Sequence, residues 1–252
     1  MRKFYIFASI SNIYTGQVKK LKEESPIETH TIYIENFIKQ SNDYIFSKED
    51  IIYFLCCNSE LIKEAINLLK SFQCYIINET YLVNDYKKYD IQEILANNEV
   101  PVPAINCESN IEKLKFPIFC KENCHEGIIF QAYNGITLKK FFEKFNINDF
   151  YFENVIVGNG NVGQEEKYYY VAGKTFGKND EKVVMDEVKK ICNDISKALN
   201  NLEVFSVDII QTKENENYVI DVNPSAGFYL SDGGRKYFLN KVNNEFGGKH
   251  AD

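Results

Sequence analysis

Short apolar runs punctuate the first eighty residues: FYIFASI from Phe4, HTIYI from His30, IIYFLC from Ile51 and QCYIIN from Gln73. Each has strand length and is rich in β-branched and aromatic residues. Asn58 or Ser59 can cap a helix running to Leu69, with Leu61, Ala65, Leu68 and Leu69 as its inner stripe. This alternation of β and α predicts a small parallel α/β lobe. Residues 84 to 103 then hold a short amphipathic helix with Tyr89, Ile91, Ile94 and Leu95 apolar, and Pro101 and Pro103 force an extended exit. KFPIFCKENCHEGIIFQAY, from Lys115, reads as strand, tight loop, strand. TLKKFFEKFN predicts a helix capped by Thr137, and FYFENVIV from Phe150 a strand. GNGNVG at 158–163 matches G-x-G-x-x-G, but a second strand, QEEKYYYVAGK, follows instead of a helix. The glycines therefore read as a hairpin connection and not as a dinucleotide loop. Val184, Val188, Ile191, Ile195, Leu199 and Leu202 recur at helical spacing within a structural helix over 180–202.

The most informative stretch is Phe205 to Tyr229, FSVDIIQTKENENYVIDVNPSAGFY. It predicts two strands around a four-residue loop, Lys213 to Glu216. Thr212 then pairs with Asn217, Ile210 with Val219, and Asp208 falls opposite Asp221, with Asn223 on the same face. Two directly opposed carboxylates repel. A divalent cation removes that cost, and three oxygen ligands on a sheet suit Mg2+ sharing its shell with waters and nucleotide phosphates. The competing reading is an exposed hairpin with ordinary solvated acids.

VDII at 207–210 followed by YVIDVNP at 218–224 resembles the C-terminal metal motif of the ATP-grasp superfamily, most closely its small RimK-like carboxylate–amine ligases. The resemblance implies an α/β and α+β architecture. A Rossmann-like lobe at 1–84 would be followed by a lid lobe at 85–157 and a C-terminal lobe at 158–252 carrying the metal site. By position in the motif order, Lys88 matches the family's first lysine, although Lys87 stands where an Asp is usual. Lys121 matches the strand-end lysine, and the phosphate loop would be Glu122 to Gly127. That loop has one glycine, with Cys124 and His125 where Gly and Ser are usual. Lys88, Lys121, His125 and Gly127 would then face phosphates. The hinge holding adenine through its backbone would be Glu153, Asn154 and Val155, with Phe152 in place of the usual Gln. Glu165 would lie near the ribose, and Lys167 and Lys174 near phosphates or the acceptor. Ser225, Ser231, Asp232 and Arg235 would line the acceptor pocket, Arg235 gripping a carboxylate bidentately. Lys121, Lys167 and Arg235 form the expected catalytic set, and Asp208, Asp221 and Asn223 the metal set.

The implied reaction joins a small-molecule or peptide carboxylate to an amine through an acyl phosphate. ATP and one or two Mg2+ ions, or Mn2+, would be its cofactors. Two alternatives are an ATP-grasp small-molecule kinase resembling inositol-phosphate kinases, and a nucleotide-binding protein without turnover.

Composition narrows the partners. A net charge of −7 over 252 residues argues against nucleic acid and against a polyanionic acceptor. Seven cysteines, with Cys56 and Cys57 adjacent, form no disulfide framework and read as reduced thiols. Cys120, Cys124 and His125 lack a second pair at zinc spacing. The three histidines, at 30, 125 and 250, sit in no triad-like context. No apolar segment is long enough to span a membrane. The expected setting is cytoplasmic, with a homodimer as an allowed assembly. The GGKHAD tail is expected to lack order.

Overall fold

The computed structural model describes residues 2–10, 15–56, 58–84, 86–106, 111–124, 127–158, 165–178, 180 and 183–246. His125, the glycine-rich stretch from residue 159 and the GGKHAD tail lie outside them. By contacts the chain divides into two units, 1–85 with 167–207 and 223–252, and 86–166 with 208–222.

The first unit begins with β1 (Phe4–Ala8), α1 (Thr15–Glu24), β2 (Thr29–Tyr33), α2 (Ile34–Lys39), β3 (Ile51–Leu55), α3 (Ser59–Leu69), β4 (Tyr75–Ile76) and α4 (Glu79–Asn84). Its strands form a sheet in the order β2-β1-β3-β4, with parallel registers Phe4↔Thr29, Phe4↔Ile51 and Ile51↔Tyr75. Every residue of β1 and β3 is buried, as expected of central parallel strands covered on both faces. Asn58 caps α3, its side chain accepting from the Leu61 N–H at 3.0 Å. The inner stripe differs from expectation: Ile62, Ala65, Ile66 and Leu69 are buried, whereas Leu61 and Leu68 are half-buried. Both stripes have helical period in this apolar segment, so packing and not periodicity chose between them.

The second unit contains α5 (Lys88–Asn97), β5 (Ile105–Asn106), β6 (Ile118–Glu122), β7 (Ile129–Ala132), α6 (Gly135–Phe142) and β8 (Phe150–Asn154). The strands form an antiparallel sheet in the order β5-β8-β6-β7. Alternation sorts its faces cleanly. Ile118, Cys120, Phe150, Phe152 and Ala132 pack with Leu138 of α6 in one apolar cluster. Phe119, Lys121, Tyr151 and Glu153 take the other face. Helix α6 is capped by Asn134, which accepts from the Thr137 N–H at 3.0 Å, and not by Thr137 as expected. A freely rotating Asn side chain three residues upstream reaches the orphan N–H better than a Thr already inside the helix.

The remaining strands are β9 (Glu165–Val171), β10 (Lys174–Gly177), β11 (Val204–Gln211) and β12 (Asn217–Asn223), with α7 (Asp186–Ala198) before β11 and α8 (Asp232–Asn244) after β12. They form a sheet in the order β10-β9-β11-β12. β8 and β9, the strands on either side of GNGNVG, belong to two different sheets. Gly158 instead bridges Thr212. The β11–β12 turn also closes tighter than expected. The Thr212 N–H donates to the Glu216 carbonyl at 2.8 Å, not to Asn217, and the Thr212 carbonyl accepts from Asn215 at 3.1 Å. The Thr212 hydroxyl oxygen accepting from the Glu216 N–H at 3.2 Å, and Asn215 at a left-handed φ of 64°, make that turn accessible.

In the first unit, buried Asn78 fixes the root of this hairpin. Its amide donates to the carbonyls of Val204 at 2.6 Å and Pro224 at 3.1 Å, and its oxygen accepts from the N–H groups of Glu203 at 2.9 Å and Val204 at 3.0 Å. Removing it strands several buried backbone groups. Asn78→Ala is expected to cost about 3 kcal/mol, read as a lower midpoint in chemical denaturation; an unchanged midpoint would contradict this role.

Candidate functional site

A cavity of about 250 Å3 lies wholly within the second unit. Its apolar walls are Pro103, Phe119, Ile129, Ile156, Ile210 and Ile220, and its polar lining is Lys88, Lys121, Glu153, Asn154, Glu165, Asp208 and Asp221. Apolar walls with a few convergent charged groups are the usual form of a small-molecule site.

Each polar group is placed by its element. Antiparallel pairing of β6 with β8 sets Lys121 opposite Tyr151 and Phe119 opposite Glu153. Lys121 and Glu153 are therefore diagonal neighbours on one face, within reach of long side chains. Their side chains form an ion pair, 10% and 1% exposed. The Lys121 ammonium also donates to the Ile220 carbonyl at 3.3 Å. Burial raises the Glu153 carboxyl above its ordinary 4.5; the Lys121 charge and hydrogen bond oppose this, and Asp221 adds to it. One carboxylate oxygen, Oε1, has no hydrogen-bond partner. Burial, with the charges of Glu153 and Asp221, likewise raises the Tyr151 phenol, which stays neutral.

Lys88 opens α5, and its ammonium lies 3.3 Å from Asp221 Oδ1. The start of that helix is held twice: the Asp90 carboxylate accepts from the Lys87 N–H at 3.0 Å, and Asn123 Oδ1 accepts from the Tyr89 N–H at 2.8 Å. Asn123 belongs to the loop after Lys121. There the Cys124 N–H donates to the Glu122 carbonyl at 2.8 Å, and the Glu122 carboxylate accepts from the Ile128 N–H at 2.9 Å. Any side chain at Gly127 would meet Glu122 Cβ at 2.6 Å and Cys124 Sγ at 2.8 Å, so the loop's one glycine is required.

The cavity gathers Lys88, Lys121, Glu153, Asn154, Glu165, Asp208 and Asp221 from the expected set. Val155 is not part of the lining; Ile156, one residue on, is. Asn223, at the end of β12, accepts from the Ser225 N–H at 2.8 Å. Lys167 and Arg235 belong to the first unit. Arg235 is buried and bound bidentately by Glu24 at 2.9 Å and by Asp232 at 2.7 Å. Ser231 caps α8 and donates to Asp180 at 2.8 Å, and Ser225 donates to the Cys56 carbonyl at 3.0 Å. The residues expected to line the acceptor pocket thus have internal partners.

Of the apolar lining, sequence reasoning named only Val155, and the residues that form it are others. It also missed Gln92, a buried α5 residue whose amide donates to the Ile220 carbonyl at 3.4 Å. A polar residue on the apolar stripe between Ile91 and Leu95 was the available signal. Cys120 lies in the sheet core with its thiol pushed up to about 12 by burial, which makes it inert. Among the described residues, no group of three His, Cys, Asp or Glu side chains is arranged to hold a metal ion unaided. The cavity nevertheless fits a cation: four carboxylates line it against two ammonium groups, and one of these ammoniums already serves Asp221 as counter-ion.

No family model matches the sequence, and no curated relative does. Solved structures do match. D-alanine–D-alanine ligase from Bacillus anthracis complexed with ATP aligns at a TM-score of 0.69 and 17% identity, covering 98% of this chain and 97% of that one. The ATP-grasp ligase PsnB complexed with minimal precursor, Mg and ADP aligns at 0.64 and 12%, covering 95% and 96%. N5-carboxyaminoimidazole ribonucleotide synthetase from Thermotoga maritima aligns at 0.62 and 15%, covering 97% of this chain and 76% of that one. This chain has the ATP-grasp fold. Among the described residues, no helix is long and apolar enough to cross a membrane.

The Lys121–Glu153 pair can be tested without a substrate. Lys121→Met removes the ion-pair partner of buried Glu153 and is expected to cost about 3 kcal/mol. Adding Glu153→Gln should recover most of that loss; an additive double variant would show that the two are uncoupled. The raised Glu153 carboxyl also sets a sign. Stability from its protonation is full below the ordinary 4.5 and is lost as pH rises through the folded-state value. Glu153→Gln is expected to flatten that part of the curve of denaturation midpoint against pH.

Proposed function

We propose that the protein is an ATP- and Mg2+-dependent carboxylate–amine ligase of the small RimK-like kind, forming an amide or peptide bond. The reading is carried by one observation: two lysines and four carboxylates from separate sequence motifs line a single apolar-walled cavity in a chain of this fold. The structural neighbours named above include D-alanine–D-alanine ligase and the ligase PsnB, which is consistent with it. The lobes we assign are 1–84, 85–157 and 158–252.

In this reading Phe119, Ile129, Ile156, Ile210 and Ile220 sandwich a planar base, and the backbone of Glu153 to Val155 meets its edge. Glu165 accepts from the ribose. Lys88, Lys121, His125 and Gly127 contact phosphate oxygens, and Lys167 lies toward phosphates or acceptor. Asp208 and Asp221, with Asn223 two residues along the same strand, hold one or two Mg2+ ions, for which Mn2+ can substitute. Bound there, Mg2+ neutralises charge on the transferred phosphoryl group. Arg235, already engaged by Glu24 and Asp232, supports the segment before α8 instead of gripping substrate.

Phosphoryl transfer asks the protein for positioning and charge stabilisation and for no nucleophile of its own. A substrate carboxylate oxygen bonds to the γ-phosphorus as the bond to ADP breaks. The amine nitrogen then bonds to the acyl carbon, phosphate leaves, and the amine loses a proton. The acyl phosphate must be shielded from water until the amine arrives.

The test is the fate of labelled γ-phosphate in reactions with pools of carboxylates and amines. ADP and free phosphate should appear in equal amounts, with an amide, only when ATP, Mg2+, carboxylate and amine are all present. Label held stably on an alcohol, with no free phosphate, would replace the ligase with a kinase. Asp221→Asn is expected to lower Mg2+-dependent turnover on the order of 100-fold while the fold is retained by circular dichroism; full turnover would remove Asp221 from the metal set.

A further inference from the structure

We propose that Lys88 is a built-in counter-ion for Asp221 that keeps divalent metal off this carboxylate until nucleotide phosphate arrives. The proposal rests on the metal reading given above.

Helix α5 grips β12 at two consecutive residues. Gln92 donates to the Ile220 carbonyl at 3.4 Å, and Lys88, one turn earlier on the same helix face, pairs with Asp221 Oδ1 at 3.3 Å. The Ile220 carbonyl also accepts from Lys121 at 3.3 Å, so the backbone before Asp221 is held in place. The Lys88 side chain is only 17% exposed. The helix start that carries it is held by the bonds to the N–H groups of Lys87 and Tyr89. The ammonium therefore lies against one of the two carboxylate oxygens that a metal ion at Asp221 would compete for.

A dication entering alone has to displace that ammonium and then lie a few ångströms from it, unscreened, in a partly apolar cavity. A dication entering with nucleotide does not, because phosphate oxygens accept the released ammonium. Metal and nucleotide thus assist each other's binding, and the coupling is reciprocal. A lysine that only stabilised the fold, or only contacted phosphate, would not oppose metal binding in the nucleotide-free protein.

The experiment is titration of the full chain with Mn2+, followed by electron paramagnetic resonance, with and without a non-hydrolysable ATP analogue. Lys88→Met and Lys88→Gln are compared with the parent, and their folding is checked by circular dichroism. Without nucleotide, both variants should bind Mn2+ about fivefold more tightly, and the increase in Mn2+ affinity brought by the analogue should shrink. Equal or weaker Mn2+ binding by both variants overturns the proposal. Asp221→Asn separates the two readings. If it weakens Mn2+ binding while the Lys88 variants do not tighten it, the metal site stands and the counter-ion role falls. If it leaves Mn2+ binding unchanged throughout, the metal assignment itself falls, and this proposal with it.

Discussion

The second unit depends on burying Lys121 and Glu153 against each other on one face of an antiparallel sheet. Register makes this workable, since Lys121 opposite Tyr151 and Phe119 opposite Glu153 set the two charges on a diagonal of one face. A slip of β6 by one residue on β8 would turn Lys121 toward the apolar face shared by Phe150 and Phe152 and turn Ile118 and Cys120 toward the cavity. A buried ion pair is weak evidence for stability, but breaking it costs much more than replacing it whole. The pair thus penalises wrong registers of β6 on β8, and the right register supplies the cavity with its charged wall.

Backbone atoms do much of the remaining wiring. The Ile220 carbonyl receives Lys121 from the sheet and Gln92 from α5, and the Val219 N–H donates to the Pro101 carbonyl at 2.8 Å. Proline in the exit from α5 holds that segment extended, which suits Pro101 to offer its carbonyl and Pro103 to line the cavity. Positions 88, 92, 101 and 103 thus come together with residues of β12 more than a hundred positions later. The hairpin acids are held by segments that no hairpin motif includes.

Much of the site was legible beforehand because its chemistry is local. The sequence marked Lys121 as a strand-end residue, and the expected strands at β6, β8, β11 and β12 are present. The errors share a cause as well. The stripe of α3, the cap of α6 and the closing bond of the β11–β12 turn were each a choice between local options of nearly equal energy, one residue or one donor apart. β8 and β9, on either side of GNGNVG, pair in different sheets, and this has no local signature: a glycine-rich sequence is equally compatible with reversing the chain or carrying it elsewhere.

The sequence by itself determined residue types, strand faces and the order of the motifs, because these depend on side-chain chemistry and on periods of two and 3.6 residues. Tertiary structure decided partners. Arg235 was as free in the sequence to bind a substrate carboxylate as to bind Glu24, and burial beside Glu24 and Asp232 settled where its guanidinium went. Lys88 was a helix-start lysine until folding brought Asp221 within 3.3 Å of it. Glu153 was one residue of a strand until the sheet removed water from around it and left Lys121 as its counter-ion. Coulomb attraction between charges becomes selective only once solvent is excluded, and which charges lose their solvent together is a property of the folded chain.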